Sequence, residues 1–398
     1  MRLEDRPAAT YNPILIRKIE VYPIDVRLTF QRTLSKGPVS KASRDKLVGA
    51  PILLRVESNE GVVGFGQVRP PTPWLGETTD SIVSAVRHYY GPALLGADPS
   101  ARQDRGSRLD AVLPGNSVAQ AGLDIALHDL TGKTLGLPVY AVLGGSRRSI
   151  PLDWSVSLNP RDAMIDEAVR AVRDHGVHII CIKVGAAGQW TSDVETFRAV
   201  RAAVGEDVEI GIDPNEGYDL ATAIRVARAL ENDRIAYIEQ PLTRVDVNGL
   251  RDLRAAAGVP ILLDESAITV VDALRLAEAG ACSGFVLKLW KSGGFANAVK
   301  MAVVAEAAGL AVTVGGVAHG SVLEAAACAH LYSSLPVRAM AGEFVLGLNV
   351  VDRDPVVQLP QAFAIRDGSV EPPDGPGLGV DVDMSVVNEL ALGHYVVE

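Results

Sequence analysis

The hydrophobic pattern of the chain changes about a third of the way along. Up to about residue 145 it is mixed. Ile16–Val26 and Pro51–Val56 are apolar or alternating and rich in β-branched residues, which predicts strands. Loops rich in Ser, Lys, Gly and Pro lie around them, at Thr33–Arg44 and Arg69–Thr78. Asn116–Leu135 then has helical spacing, with Val118, Leu123, Ile125, Ala126, Leu127 and Leu130 apolar, and Gly136 and Pro138 follow as stop signals.

From Ser149 to Phe344 a repeat takes over. Short apolar runs recur at residues 150–157, 178–185, 208–213, 234–240, 260–266, 283–289, 310–316 and 338–344. Amphipathic Ala/Arg/Leu segments of helical length, such as DLATAIRVARALEND, separate most of them. Eight strands at a spacing of roughly 25–30 residues predict a βα barrel. An open doubly wound sheet also alternates in this way, but no glycine-rich dinucleotide fingerprint follows the first strand. The Pro/Gly-rich tail from about Val350 to Glu398 is expected to run back over the first domain. The expected organisation is therefore an α+β domain over residues 1–145, a barrel over 146–350, and a segment over 351–398 that completes the first domain.

Composition narrows the function classes. The formal charge of −10 argues against nucleic acid or an anionic membrane as a partner. Charged residues and prolines break the apolar runs well before the roughly 18 residues a membrane span needs. The polar start MRLEDRPAATYNP has no signal-peptide core, so the expected location is the cytoplasm. Three cysteines, Cys181, Cys282 and Cys328, show neither metal-binding spacing nor a disulfide framework.

In a βα barrel the active site lies at the C-terminal ends of the strands. Here six of eight strands end in ionisable groups: Lys183, Asp213, Glu239, Asp264 with Glu265, Lys288 and Glu343. A core does not tolerate such groups unpaired. Asp213, Glu239 and Asp264 come from three successive strands and can converge on one point. Together they form an oxygen-ligand set suited to Mg²⁺ or Mn²⁺, although any one of them alone would as readily cap a helix. Lys183 and Lys288 lie four strands apart in a ring of eight, facing one another across the mouth. Beside a cation, such a lysine has a depressed pKa and can accept a proton; the alternative is that each merely pairs with a carboxylate. Trp74, Trp154, Trp190 and Trp290 fall in loops or at strand ends, where pocket lining and packing are equally good readings. His319, after the seventh strand, could face a substrate, although a helix-start role for the neighbouring serine is the simpler reading; His128 reads as structural.

These residues, in this order, resemble the enolase superfamily and its muconate-lactonising-enzyme subgroup. The resemblance rests on AGLDIALHDLTGKTLGLPVYAVLGG, CIKVGA, GIDPNEG, YIEQPL, LLDES, LKLWKSGG and AGEF, and it spans nearly the whole chain. It implies a modified (β/α)₇β TIM barrel, an α/β fold, under an α+β capping domain built from both chain ends. It also implies a homo-oligomer and proton abstraction α to a carboxylate, giving an enediolate stabilised by Mg²⁺. Asp213, Glu239 and Asp264 match the metal ligands, and Lys183 and Lys288 match the acid/base lysines. Asn215 and Glu265 match flanking polar positions, and Glu343 matches the strand-eight glutamate of the lactonising enzymes. Thr33–Arg44 and Arg69–Thr78 resemble the two capping loops that set specificity.

Two departures bear on function. Cys181 stands where the first lysine of the family's Lys-x-Lys motif is expected, on the same strand face as Lys183. It reads as a small buried apolar side chain more readily than as a reactive thiol. The strand-eight AGEF lacks the Asp-x-Asp of dipeptide epimerases, which counts against that activity. The expected function is a Mg²⁺-dependent isomerase of a small carboxylate, with racemisation or epimerisation of an amino-acid-like substrate leading. A muconate-type cycloisomerase, a hydroxy-acid or hydroxyproline dehydratase and a catalytically silent metal-binding barrel are the alternatives.

Overall fold

The computed structural model describes residues 13–26, 32–38, 46–70, 72–316, 321–335, 339–351 and 353–398. His319 and residues 39–44 of the first expected capping loop lie outside them, as does Pro71 of the second.

The N-terminal part is an antiparallel sheet of β1 (Ile16–Pro23), β2 (Ile52–Ser58) and β3 (Val63–Val68), with the C-terminal strand Tyr395–Val397 on the outer side of β1. The long helix α1 (Ser117–Leu135) lies across this sheet. Alternation in β3 explains the close approach. A Cβ on Gly66 would stand 2.1 Å from Gly122 O, and one on Gly64 would stand 2.2 Å from Ala126 O. Only hydrogen at both positions lets the helix backbone rest on the strand. Leu54, Val56, Val118, Ala119, Leu123 and Leu127 fill the layer between them.

The second part is a seven-stranded parallel sheet in sequential order: β4 (Asp153–Val156), β5 (Ile179–Lys183), β6 (Glu209–Asp213), β7 (Ile235–Glu239), β8 (Ile261–Leu263), β9 (Gly284–Leu287) and β10 (Ala311–Val314). The helices α2 (Arg161–His175), α3 (Trp190–Val204), α4 (Leu220–Leu230), α5 (Val247–Ala256), α6 (Val270–Glu278), α7 (Phe295–Ala307) and α8 (Val322–Ser334) alternate with the strands. The predicted eighth strand forms only isolated parallel bridges. Val312 pairs with Ala339 and Gly315 with Glu343 on one side, and Leu152 with Gly342 on the other. These bridges still close the ring, so Glu343 arrives at the mouth beside β10. The barrel strands are buried along most of their length and largely apolar, as strands covered by helices outside and side chains inside must be, although Asp153 and Ser155 share one face of β4.

No helix among the described residues is long and apolar enough to cross a membrane. The tail returns along the molecule: Ser369–Val370 pairs with Ile150–Pro151, Gly377 pairs with Pro138, and the last strand joins β1.

Candidate functional site

Strand register sets the level of each side chain. Lys183 on β5 stands opposite Asp213 on β6, and two residues deeper Cys181 stands opposite Gly211. Below the mouth, Cys181 packs with Tyr237, Leu262 and Val286 in a small inner cluster. A Cβ on Gly211 would stand 2.4 Å from the Tyr237 ring, so the missing side chain makes room for that ring. Tyr237 donates from its hydroxyl to Asp153 Oδ2 at 2.5 Å, which ties the first barrel strand to the fourth beneath the site.

The strand-end groups form a buried network. Lys183 Nζ donates to Asp213 Oδ2 at 2.5 Å and to Glu343 Oε1 at 3.3 Å. Asn215 donates to Asp213 through its backbone N–H at 2.7 Å and its side-chain amide at 2.9 Å, and the amide also reaches Glu265 Oε1 at 3.1 Å. Across the ring, Lys288 Nζ donates to Asp264 Oδ2 at 2.6 Å. Asn215, Glu265 and Glu343 are thus all bonded within this buried network.

Among the described residues, buried ligand atoms of Cys181, Asp213 and Glu239 lie within 4.8 Å of one another. Asp264 is held by two ammonium groups. Besides Lys288, the buried Lys291 holds it, 2.7 Å from Oδ1 and also bonded to the Asp264 main-chain oxygen. Lys291 was legible in LKLWKSGG as a lysine three residues after Lys288, but it lies in the short helix Leu289–Ser292, where nothing in the pattern marks it as inward-facing.

Burial and charge set the protonation of these groups in opposite ways. Burial lifts Glu239 well above the usual carboxylate range and Asp213 adds to the effect; burial also raises Asp213 itself, against the pull of Lys183. Burial, reinforced by Asp264 and Asp213, pushes Glu265 up to about 8. Burial would raise Asp264 as well, but Lys288 and Lys291 outweigh it and hold that carboxyl far below its ordinary value. Glu343 behaves likewise: Lys183 and Lys288 overcome burial and bring it to about 2. Burial works against both ammonium groups, yet Asp213 and Glu343 keep Lys183 strongly protonated, and Asp264 does the same for Lys288. The protein's own acids therefore raise the pKa of both lysines; a cation bound by the same acids would act in the opposite direction.

The residues fit such a cation. Glu239 Oε1, Glu265 Oε2 and Asn215 Oδ1 are buried oxygens with no hydrogen-bond partner among the described residues. Buried acceptors without donors are costly unless something positive faces them. An all-oxygen set of this kind suits a hard divalent ion, and Asp213 and Glu239 are the residues that would hold it.

The cap closes the mouth from above. Ser35 Oγ donates to Asn215 O at 3.2 Å, and Lys36 pairs with Glu216. Arg244 donates to Trp74 O, which ties the second capping segment to the barrel. Trp74 and Trp290 stand with ring centroids 6.4 Å apart and line the same cavity as Leu34, Leu75, Phe344, Lys183, Lys288 and Glu343. Trp154 and Trp190 pack instead against the barrel core. His128 is buried in α1, its Nδ1 2.7 Å from Asp124 O, and takes no part in the site. The sequence pattern gave no sign of Arg32, which lies in a polar segment before the barrel. It is buried in the cavity wall, donates to Ser155 O at 2.5 Å, and leaves Nε without a partner among the described residues.

Known proteins share this architecture. Residues 23–144 match the mandelate racemase / muconate lactonizing enzyme N-terminal domain, and residues 163–386 match the enolase C-terminal domain-like family. Chloromuconate cycloisomerase CbnB of Cupriavidus necator is 35% identical over 339 residues, 84% of this chain and 88% of that protein. The dipeptide epimerase of Cytophaga hutchinsonii, solved with Mg and D-Ala-L-Val, superposes with a TM-score of 0.86 at 30% identity, covering 96% of this chain and 100% of that one. The N-succinyl Arg/Lys racemase of Bacillus cereus gives a TM-score of 0.88 at 27% identity, with the same coverage. The chain belongs to the mandelate racemase / muconate lactonizing enzyme family and is an isomerase of the enolase superfamily.

Proposed function

We propose that the protein racemises or epimerises an amino-acid-like carboxylate by moving the α-proton between Lys183 and Lys288. The supporting observation is the pair of buried lysines themselves. They come from β5 and β9, strands on opposite sides of the ring, and each is bonded to an acid at the mouth. A proton removed on one face and returned on the other inverts the centre, and that requires a group on each side. Asp213, Glu239 and Asp264 would hold Mg²⁺ or Mn²⁺; when bound, the ion stabilises negative charge on the substrate carboxylate and competes with the lysines for the acids' oxygens. The Mg in the related epimerase structure favours the same metal here. Asn215 keeps Asp213 and Glu265 oriented, and Glu343 orients Lys183. Trp74, Trp290, Leu34 and Phe344 exclude water and offer an apolar surface for the rest of the substrate. A relative that acts on N-succinylated amino acids supports an N-substituted substrate.

Cycloisomerisation is the second reading, favoured by Glu343 beside Lys183 and by the chloromuconate cycloisomerases among the relatives. It needs one lysine as a proton donor and makes lesser use of the other. Solvent-deuterium exchange at the α-carbon across a panel of N-substituted amino acids, with Lys183→Ala and Lys288→Ala, separates the two. Each substitution is expected to abolish two-way racemisation. Full racemisation by either variant sinks the opposed-lysine reading, and one severe variant beside one mild variant indicates cycloisomerisation.

A further inference from the structure

The segment that carries Lys288 is held from the other domain. Lys288 follows β9, and the short helix Leu289–Ser292 and the turn Gly293–Gly294 lead from it into α7. This stretch sends two side chains to the mouth, since Lys288 and Lys291 both bond Asp264. It also packs on the cap helix α1, and Trp290 joins the cap's hydrophobic core. Gly294 stands at the N-cap of α7 and has no side chain to offer the first turn. Asp124 of α1 supplies one instead: its Oδ2 accepts from Ala296 N–H at 3.3 Å, across 172 residues of chain. A carboxylate is a group that a helix N-terminus favours. The fit is close. A Cβ on Gly294 would stand 2.4 Å from Asp124 Oδ2, and the two glycines run at φ +81° and +102°, which other residues rarely adopt. His128 backs the carboxylate, with Nδ1 3.3 Å from Oδ2 and its ring 5.0 Å from that of Phe295.

We infer that Asp124 is a positioning residue: it caps α7 from the capping domain and so fixes the segment that sets Lys288 and Lys291 against Asp264. The inference rests on the reading that Lys288 moves the α-proton on one face of the substrate. Asp124 does not line the cavity and acts only through this segment. Lys183 takes its bonds from Asp213 and Glu343, outside the reach of the contact. Loss of Asp124 therefore disturbs proton transfer on one face and spares the other.

Three variants of the full chain test this. Asp124→Ala removes the cap, Asp124→Ser leaves a polar group one atom shorter, and Asp124→Asn keeps an acceptor of the same size. Amide hydrogen exchange without substrate, read by mass spectrometry over residues 289–298, is expected to quicken about tenfold in the alanine and serine variants. The asparagine variant should stay within about threefold of the wild type. Lys288→Ala identifies the enantiomer whose α-deuterium exchange depends on that lysine. With saturating Mg²⁺, exchange into that enantiomer should fall about tenfold in the same two variants, while the other enantiomer stays within about threefold; asparagine should restore both. Unchanged amide protection in both truncations overturns the cap. Equal losses on the two enantiomers overturn the one-sided role, because a general loosening of the fold acts on both. A wild type that exchanges neither enantiomer overturns the proton-transfer reading, and with it the catalytic consequence of the cap, even where the amides respond.

Discussion

His330 offers a quantitative test of how the two parts of the chain are joined. It is fully buried in α8, where Nδ1 accepts from Tyr140 N–H and Nε2 donates to Leu378 O, each at 3.2 Å. Its ring stacks on Tyr140 at 5.6 Å. One imidazole thus links the segment leaving the cap, a barrel helix and the C-terminal tail. Protonation would put a donor at Nδ1 facing another donor. Burial holds the ring neutral down to about 4, against the ordinary value of 6.5. Between those values the unfolded chain binds a proton that the folded chain does not, so stability falls as the pH drops from 6.5 towards 4. At about 1.4 kcal/mol per pH unit the loss reaches about 3 kcal/mol, a large share of a typical 5–15 kcal/mol. A His330→Gln variant keeps one acceptor and one donor but cannot titrate. Urea unfolding of both proteins from pH 7 to pH 4 should show the wild type losing about 3 kcal/mol more than the variant, since the carboxylates contribute equally to both. Parallel stability curves for the two proteins would refute the assignment of a neutral, doubly bonded imidazole.

Two further outcomes follow from the cap and the mouth. Asp213→Asn, or removal of divalent ions by a chelator, is expected to abolish turnover while far-ultraviolet circular dichroism remains native; undiminished turnover in excess chelator or in the variant counts against the metal reading. Gly66→Ala places a Cβ 2.1 Å from Gly122 O, so α1 must lift off the sheet at a cost of roughly 1–3 kcal/mol. A urea midpoint equal to that of the wild type would show that the helix rests there less closely than the geometry requires.

The chain's own pattern determined the barrel and the positions of its chemistry. A βα repeat places every strand end on one face of the ring, and at those ends stand Lys183, Asp213, Glu239, Asp264, Lys288 and Glu343. Their common location therefore follows from periodicity alone. Which groups touch there does not, because contact depends on side-chain reach across strands and on segments distant in the chain. Lys291 pairs with Asp264 only once a short helix turns it inward. Arg32 enters the cavity wall only when the cap docks on β4. Cys181 appears in the sequence as a small apolar residue, and the register of β5 against β6 sets it beside two carboxylates. Local pattern decides direction along a strand, whereas the balance of buried charge is decided by what the finished fold brings within a few ångströms.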